Sequence, residues 1–507
     1  MSQFSKMKKQ SKNTHVYLFF FLLILFIAVR VFVLFSGNVF HSEECYVGTI
    51  ANEIARGSRL EWYEMPFDEY QLGTAFDAYF SSIFYSLGDF KYMVKVWPLL
   101  LSTMFFFSFY ALTRKFYSRF VHIFANLLIV FAPKEFLRIN LLNGTADFLP
   151  LVFYGTLVML LTFEILRQNR IKYYILLGFL GGFGFCYNYA AIIPLIISLF
   201  VLTLYFGFRK RTIYVITSAF IGALPFWVYR LGLSVYATNK IRDQILYFNL
   251  GHTIHKLLFI LRTDYFNSFG LSSQLNFVYG LLFAFGLIGS LIYFIVIFVV
   301  RKKQFPSFEN LRLLFPILLI LLFFLTYATT KVGDFQIKWY VTKGNSIYFS
   351  FIVPFLILAT IEAMSRLIWS SKYIKVIYFF LLLILGLISI KSTCVSSNCS
   401  LDIEQTILNY CYNGSPYGSP LLGFNVNSPG NRFYLAFEWG NRDKIGPSYP
   451  IYLCSKLSDE SKVSNCVKIV LKHFKKRVKL NTTPRVLCTG PTRQHNEVCQ
   501  AIVETLN

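Results

Sequence analysis

The sequence predicts an all-α polytopic membrane bundle of about eleven transmembrane helices. Three observations support this fold class: the composition, the recurrence of apolar runs and the placement of the charges. Of the 507 residues, 55% are hydrophobic and only 15% are charged, whereas soluble proteins usually carry about a quarter charged residues. The composition excludes an intrinsically disordered chain, a coiled coil and a small disulfide-rich toxin.

Apolar runs of roughly twenty residues, each long enough to cross a bilayer as a helix, recur from the N-terminus to residue 391. The first run lies behind a basic segment and is longer than a signal-peptide core, and no small-residue cleavage site follows Phe35. We therefore expect a retained anchor. The predicted spans are 16–35, 96–112, 120–134, 147–166, 173–189, 191–207, 212–229, 277–300, 310–329, 346–365 and 374–391.

The basic residues predict the orientation of the bundle. If the N-terminus is cytoplasmic, every second loop is basic, as the positive-inside rule requires. These loops contain Arg114–Lys115–Arg119, Arg167–Arg170–Lys172, Arg209–Lys210–Arg211, Arg301–Lys302–Lys303 and Arg366–Lys372–Lys375. Membrane topology thus explains the net charge of +24, and we expect no nucleic-acid partner.

The chain divides into a transmembrane domain over 1–391, with a long acidic first outer loop at 36–95, and a polar outer domain over 392–507. Seven of the 9 cysteines lie in the tail, at positions 394, 399, 411, 454, 466, 488 and 499. This density is typical of an oxidising compartment, so we expect a small domain with about three disulfides. Spacing leaves their pairing open, and a zinc site is the alternative, although no paired CxxC motif occurs.

The predicted topology can be tested by labelling cysteines in intact cells. After mild reduction, a membrane-impermeant thiol reagent should reach tail cysteines such as Cys454 and Cys488, because the tail is expected on the outer side. Labelling that appears only after the cells are permeabilised would contradict the predicted orientation.

An acidic pair, Glu43 and Glu44, follows the first span and precedes a short stretch with helical spacing that ends at Gly57. We expect amphipathic helices of this loop to lie along the membrane surface. Adjacent carboxylates repel, so one of them holds its proton more tightly, which makes the pair a candidate general base at the lipid–water boundary. The alternative is an ordinary solvated acidic turn.

A second polar segment links the third and fourth predicted spans. Asp147 stands where the fourth span begins, a costly position for a carboxylate unless it faces water or a partner. The alternative is a helix-capping role, with Thr145 as the cap and Asp147 favouring the helix dipole.

Cations on the outer side are the third polar element. Arg30 lies within the first span and must find a partner or extend its side chain to the surface. The other outer cations could bind a lipid phosphate or act as interfacial anchors. They are Lys134, Arg138, Arg230, Lys331, Lys338 and Lys343.

These residues resemble the C-type membrane glycosyltransferases, a superfamily that includes protein O-mannosyltransferases and aminoarabinose transferases of lipid A. The segment from Glu43 to Gly57 is similar to the signature of the first loop: Asp-Glu, one residue, Tyr, then Ile-Ala and a closing Gly. Tyr70-Gln71-Leu72-Gly73, Ala132-Pro133 followed by Asp147, and Tyr348 with Pro354 resemble further motifs in the same order.

The resemblance implies an inverting transfer of a sugar from a polyprenyl-phosphate carrier to an acceptor lipid, glycan or protein on the non-cytoplasmic face. Glu43 would be the base, Glu44 and Asp147 would complete the acidic site, and the phosphate would be bound by outer side chains. The implied phosphate-binding residues are Lys134, Arg138, Arg230, Lys343 and Tyr70. No cofactor is expected, and a divalent ion is an alternative that no motif supports.

The sequence departs from the family pattern at three places, one of which is Tyr70-Gln71-Leu72, where some members have Lys-Pro-Pro. Glu43 replaces the usual Asp, and Ile347 replaces an arginine, with Lys343 as the nearest cation. An inactive relative or a scaffold that uses the cysteine-rich tail is therefore kept as an alternative. A secondary transporter is the second alternative, although the acidic residues are predicted in outer loops rather than at the midplane of the membrane.

Overall fold

The protein was studied as a computed structural model. Its described residues are 2–35, 51, 54–55, 73–87, 93, 95–133, 136–137, 141, 148–207, 210–231, 250–261, 265–267, 273–300, 307–329, 351–367, 372–391 and 464. Within these ranges all regular secondary structure is helical, as the sequence predicts. The predicted disulfide-linked tail domain lies outside the described residues, except for Ser464, and stays a prediction.

Fourteen helices of eight or more residues lie in the described ranges. They are α1 (Ser2–Phe35), α2 (Gly73–Tyr85), α3 (Val96–Phe116), α4 (Arg119–Val130), α5 (Phe148–Gln168), α6 (Ile171–Tyr187), α7 (Ile192–Phe206), α8 (Arg211–Gly222), α9 (Leu224–Leu231), α10 (Leu250–Phe259), α11 (Ser273–Val300), α12 (Phe308–Thr329), α13 (Val353–Leu367) and α14 (Lys372–Lys391). Single turns at Tyr189–Ala191 and Tyr265–Asn267 lie between neighbouring helices.

Six helical segments of the described chain are long and apolar enough to cross a bilayer, so the prediction of a multi-pass membrane protein is confirmed. They are Val16–Leu34, Val96–Phe116, Leu149–Gln168, Tyr189–Phe206, Gln274–Val296 and Phe308–Thr329. Shorter apolar helices occupy Arg119–Val130, Ile171–Tyr187 and Val376–Ile388. The total of eleven crossings stays a prediction.

The predicted span over 212–229 is divided into two helices, α8 and α9. Helix α8 ends at Gly222, and α9 begins at Leu224. Pro225 lies in the first turn of α9, where its missing N–H costs nothing, whereas the same proline inside a continuous helix would remove a hydrogen bond. The sequence contains this proline, and the prediction of one span did not use it.

Ion pairs tie several helix ends together at one end of the bundle. Glu362 of α13 accepts hydrogen bonds from Arg312 Nη2 at 2.7 Å and from Arg366 Nε at 2.8 Å. Lys115 at the end of α3 forms an ion pair with Glu164 near the end of α5. We call this the basic end, because it holds the connections in which the sequence places its basic loops.

Small residues let α6 and α8 pack with their backbones in contact. A Cβ added at Gly182 would lie 2.0 Å from the carbonyl oxygen of Ala219, and one added at Gly222 would lie 2.1 Å from that of Phe179. Close approach through glycines is a common way for membrane helices to associate without large side chains. It holds α6, which contributes to the site described next, firmly against the bundle.

Candidate active site

Most of the predicted site residues lie outside the described part of the chain. Arg230 belongs to α9, of which the structure describes the backbone at this position. The other predicted residues stay predictions: Glu43, Glu44, Tyr70, Lys134, Arg138, Lys343 and Asp147. The described residues show where the segments that contain several of them leave the bundle.

Arg30 joins the ends of α1 and α4 at the end of the bundle opposite the basic end. Its guanidinium is fully buried and donates to the carbonyl oxygens of Val130 at 2.9 Å and Ile129 at 3.1 Å. Its central carbon also lies 3.5 Å from the centroid of the Phe26 ring. The last carbonyls of a helix lack partners within the helix and carry partial negative charge. The partner that the sequence required for Arg30 is therefore a helix C-terminus.

This contact places the starts of two polar segments side by side. The chain that continues from Phe35 contains Glu43 and Glu44, and the chain that continues from Val130 contains Lys134 and, further on, Asp147. Because α1 and α4 are held together by Arg30 at these ends, both segments leave the bundle from neighbouring points.

The segment after α4 contacts Lys95, just before α3, and the middle of α3 at two described points. The ammonium of Lys95, which is almost fully buried, donates to the carbonyl oxygen of Leu141 at 3.1 Å. The Phe136 ring packs edge-on against Phe105 with centroids 6.1 Å apart. Helix α5 then begins at Phe148, one residue after Asp147. The fourth span was predicted to start at residue 147, and the apolar span of the described helix starts at Leu149.

A buried acid, Asp77, lies at the same end of the bundle. Its Oδ1 accepts a hydrogen bond from Trp97 Nε1 at 2.8 Å, and its Oδ2 has no hydrogen-bond partner among the described residues. Burial raises the pKa of this carboxyl from 3.8 to about 7, and the Trp97 hydrogen bond opposes the shift. The carboxyl therefore holds its proton at mildly acidic pH and loses it near neutrality. The sequence places Asp77 among the acidic residues of the first loop but gives no sign of its burial.

Aromatic contacts of α2 dock this helix on the bundle. Phe80 stacks on Trp97 of α3 with centroids 4.3 Å apart. Phe76 packs against Phe183 and Tyr187 of α6 at 5.5 Å and 5.1 Å. Helix α2, which belongs to the predicted first outer loop, thus packs against α3 and α6.

The docking of α2 is expected to depend on pH. Because burial raises the pKa of Asp77, its stabilising contribution is complete below pH 3.8 and is lost as the pH rises to about 7. Protection of α2 backbone amides from hydrogen exchange should therefore decrease from about pH 5 to about pH 8, after correction for the intrinsic exchange rate. In Asp77→Asn, which cannot ionise, the corrected protection should be independent of pH. An identical pH dependence in both proteins would contradict this role for Asp77.

The structure also reveals a buried cation, Lys256 of α10, that sequence reasoning missed. Its ammonium lies 4.5 Å from the ring centroid of Tyr327, near the C-terminal end of α12. The apolar spacing of Leu250, Ile254 and Leu258 could have identified the helix and shown Lys256 on its other face. In the described part of the chain, no group of three or more His, Cys, Asp or Glu residues could hold a metal ion.

Comparison with known proteins finds similarity among solved structures. No protein-family model matches the chain, and no curated protein matches it. The chain is similar to an oligosaccharyltransferase from Archaeoglobus fulgidus in the apo form, with 14% identity and a TM-score of 0.46. The match covers 89% of this chain and 68% of that chain.

Two further structures from Archaeoglobus fulgidus contain bound ligands. The oligosaccharyltransferase tethered to an acceptor peptide with the NVT sequon matches with 14% identity and a TM-score of 0.47, over 89% of this chain and 68% of that one. AglB in complex with an inhibitory peptide and a dolichol-phosphate matches with 14% identity and a TM-score of 0.44, over 78% of this chain and 58% of that one.

Proposed function

We propose that this protein is an inverting membrane glycosyltransferase that moves a sugar from a polyprenyl-phosphate carrier to an acceptor on the non-cytoplasmic face. The observation that supports the proposal most directly is the Arg30 contact with Ile129 and Val130. It brings together the starts of the two segments that contain Glu43 and Asp147, at the end of the bundle away from the basic loops.

The proposed chemistry follows from the residue types in these segments. Glu43 takes the proton from the acceptor hydroxyl as its oxygen attacks the anomeric carbon, and the bond from that carbon to the phosphate oxygen breaks with inversion. Phosphate is a good leaving group, so no general acid is required. Cations such as Lys134, Arg138 and Lys343 stabilise the departing phosphate, and Asp147 orients the acceptor.

The proposed site, next to the ends of α1 and α4, suits a donor that is linked to a lipid. The polyprenyl chain must stay in the bilayer while its phosphate and sugar reach water, so transfer has to take place at the boundary between the two. On this proposal the segments with the acidic motif begin at that boundary, where the spans of α1 and α5 meet the aqueous side. The N-terminus is then cytoplasmic, and the cysteine-rich tail lies on the outer side.

The proposal can be tested by identifying the donor and then measuring its use. Deletion of the gene should cause one polyprenyl-phosphate sugar to accumulate, which mass spectrometry of the lipid extract would identify. That lipid, radiolabelled in the sugar, should then donate its label to an acceptor fraction only when purified protein is present. A folded protein that binds the lipid but transfers no label would contradict the proposed glycosyltransferase activity. That result would favour an inactive relative.

A further inference from the structure

Helix α10 is amphipathic with its polarity reversed relative to a helix on a water-soluble protein. Leu250, Ile254 and Leu258, spaced four residues apart, are 64%, 51% and 63% exposed. Thr253 and Lys256, on the opposite face, are only 6% and 1% exposed. An exposed apolar face and a buried polar face suit a helix that contacts lipid outward and a polar site inward.

The contact with Tyr327 fixes the position of Lys256 along the bundle. Tyr327 lies two residues before the end of α12 at Thr329, at the end opposite the basic cluster of Arg312 and Glu362. The Lys256 ammonium stands 4.5 Å from the Tyr327 ring centroid, so it is held by a cation–π contact. Because Phe308–Thr329 is long and apolar enough to cross a bilayer, we expect an ammonium beside its last turn to lie near the depth of the lipid headgroups.

Thr253 adds a polar group on the same face. It precedes Lys256 by three residues, and residues at this spacing are neighbours on a helix surface. Its buried Oγ1 has no hydrogen-bond partner within the described chain, and leaving a buried hydroxyl without a partner costs free energy. A hydroxyl and an ammonium side by side on an inward face match the needs of a phosphate, which accepts hydrogen bonds and is negatively charged.

We propose that Lys256 and Thr253 bind the phosphate of the polyprenyl-phosphate donor. The polyprenyl chain then lies in the bilayer beside the outward apolar face of α10, which Leu250, Ile254 and Leu258 form. This assignment rests on the proposed function, because it names the binding site of the same donor. It adds to the predicted phosphate-binding residues a cation from a different outer segment.

Equilibrium binding of a radiolabelled polyprenyl monophosphate to the full chain in phosphatidylcholine nanodiscs tests the assignment. Lys256→Met should weaken binding by about tenfold or more, the loss expected for one charge-assisted hydrogen bond. Thr253→Val keeps the shape of the side chain and should weaken binding by a smaller factor. Lys256→Arg, which keeps the charge, should retain most of the binding.

Lys172 provides a matched control. Its ammonium lies 5.1 Å from the Tyr173 ring centroid, so it makes the same kind of contact, but at the basic end. Lys172→Met should bind the lipid as the unmodified protein does. If Lys256→Met does not fold, Thr253→Val and Lys256→Arg still test the site. Normal binding by Thr253→Val together with lost binding by Lys256→Arg would contradict the assignment of the phosphate to these two residues.

Two further lipids identify the source of the phosphate. Neutral polyprenol should bind weakly and equally to the unmodified protein and to Lys256→Met, because it lacks the phosphate. Phosphatidylglycerol at the same mole fraction should not displace the polyprenyl phosphate; displacement would overturn the assignment to the donor.

The outcomes separate this inference from the proposed function. Unchanged binding by a folded Lys256→Met protein overturns the inference, while sugar transfer by the unmodified protein would still support the function. Binding that depends on Lys256 without any sugar transfer overturns the proposed function and leaves the phosphate site in place.

Discussion

Replacing Glu43 with glutamine is expected to lower the rate of sugar transfer by about 10²–10⁴, the usual contribution of a general base. Glutamine keeps the size and the hydrogen-bonding capacity of the side chain but cannot accept the proton of the acceptor hydroxyl. Binding of the donor should change little, because the substitution leaves the proposed phosphate-binding cations in place. The measurement is the rate of label transfer from the radiolabelled donor at saturating acceptor.

Glu44→Gln is the matched control for Glu43→Gln. It removes the same charge one residue away and should reduce the rate less, because Glu44 is expected to position the loop rather than to take the proton. Asp77→Asn tests the buried acid of α2 as an alternative base. A folded Glu43→Gln protein with the normal rate would contradict the mechanism, and loss of activity in Asp77→Asn alone would transfer the role of base to Asp77.

The second large effect is expected at the basic end, where Glu362→Gln should destabilise the bundle by about 3–5 kcal/mol, the usual cost of removing one partner from a buried ion pair. The Glu362 side chain is only 2% exposed and forms ion pairs with both Arg312 and Arg366. Glutamine can still accept a hydrogen bond, but it leaves two guanidinium charges without their carboxylate. The free energy of unfolding, measured by titration with sodium dodecyl sulfate in mixed micelles, should show the loss.

Glu164→Gln provides the comparison for this prediction. Its partner Lys115 is 39% exposed, so water can solvate the lysine when the carboxylate is removed, and the loss should be well below that of Glu362→Gln. Neither substitution should change the rate of transfer per folded molecule, because both lie at the end away from the candidate site. Equal destabilisation by the two variants would show that burial does not govern the strength of these ion pairs.

The amino-acid sequence alone is enough to locate most of the helices and to show that several are long enough to cross a membrane. Apolar runs and helix length are properties of contiguous residues, so the spans of α1, α3 and α12 could be located within a few residues. The acidic motif at Glu43 and the orientation given by the basic loops also depend on residue types at short spacing, and both stay predictions. The division of the span at Pro225 was missed although its signal is local.

The packing of the helices decides instead which side chains are buried and which helices these side chains connect. Arg30 meets the C-terminus of α4 at a separation of 100 residues. Asp77 is buried beside Trp97 of α3, and Lys256 faces inward on a helix whose Leu250 and Leu258 face outward. The pattern of one helix shows its polar and apolar faces but not whether lipid, water or another helix lies against each. That choice is made between segments distant in sequence, because in a membrane an exposed apolar face and a buried polar one are both stable arrangements.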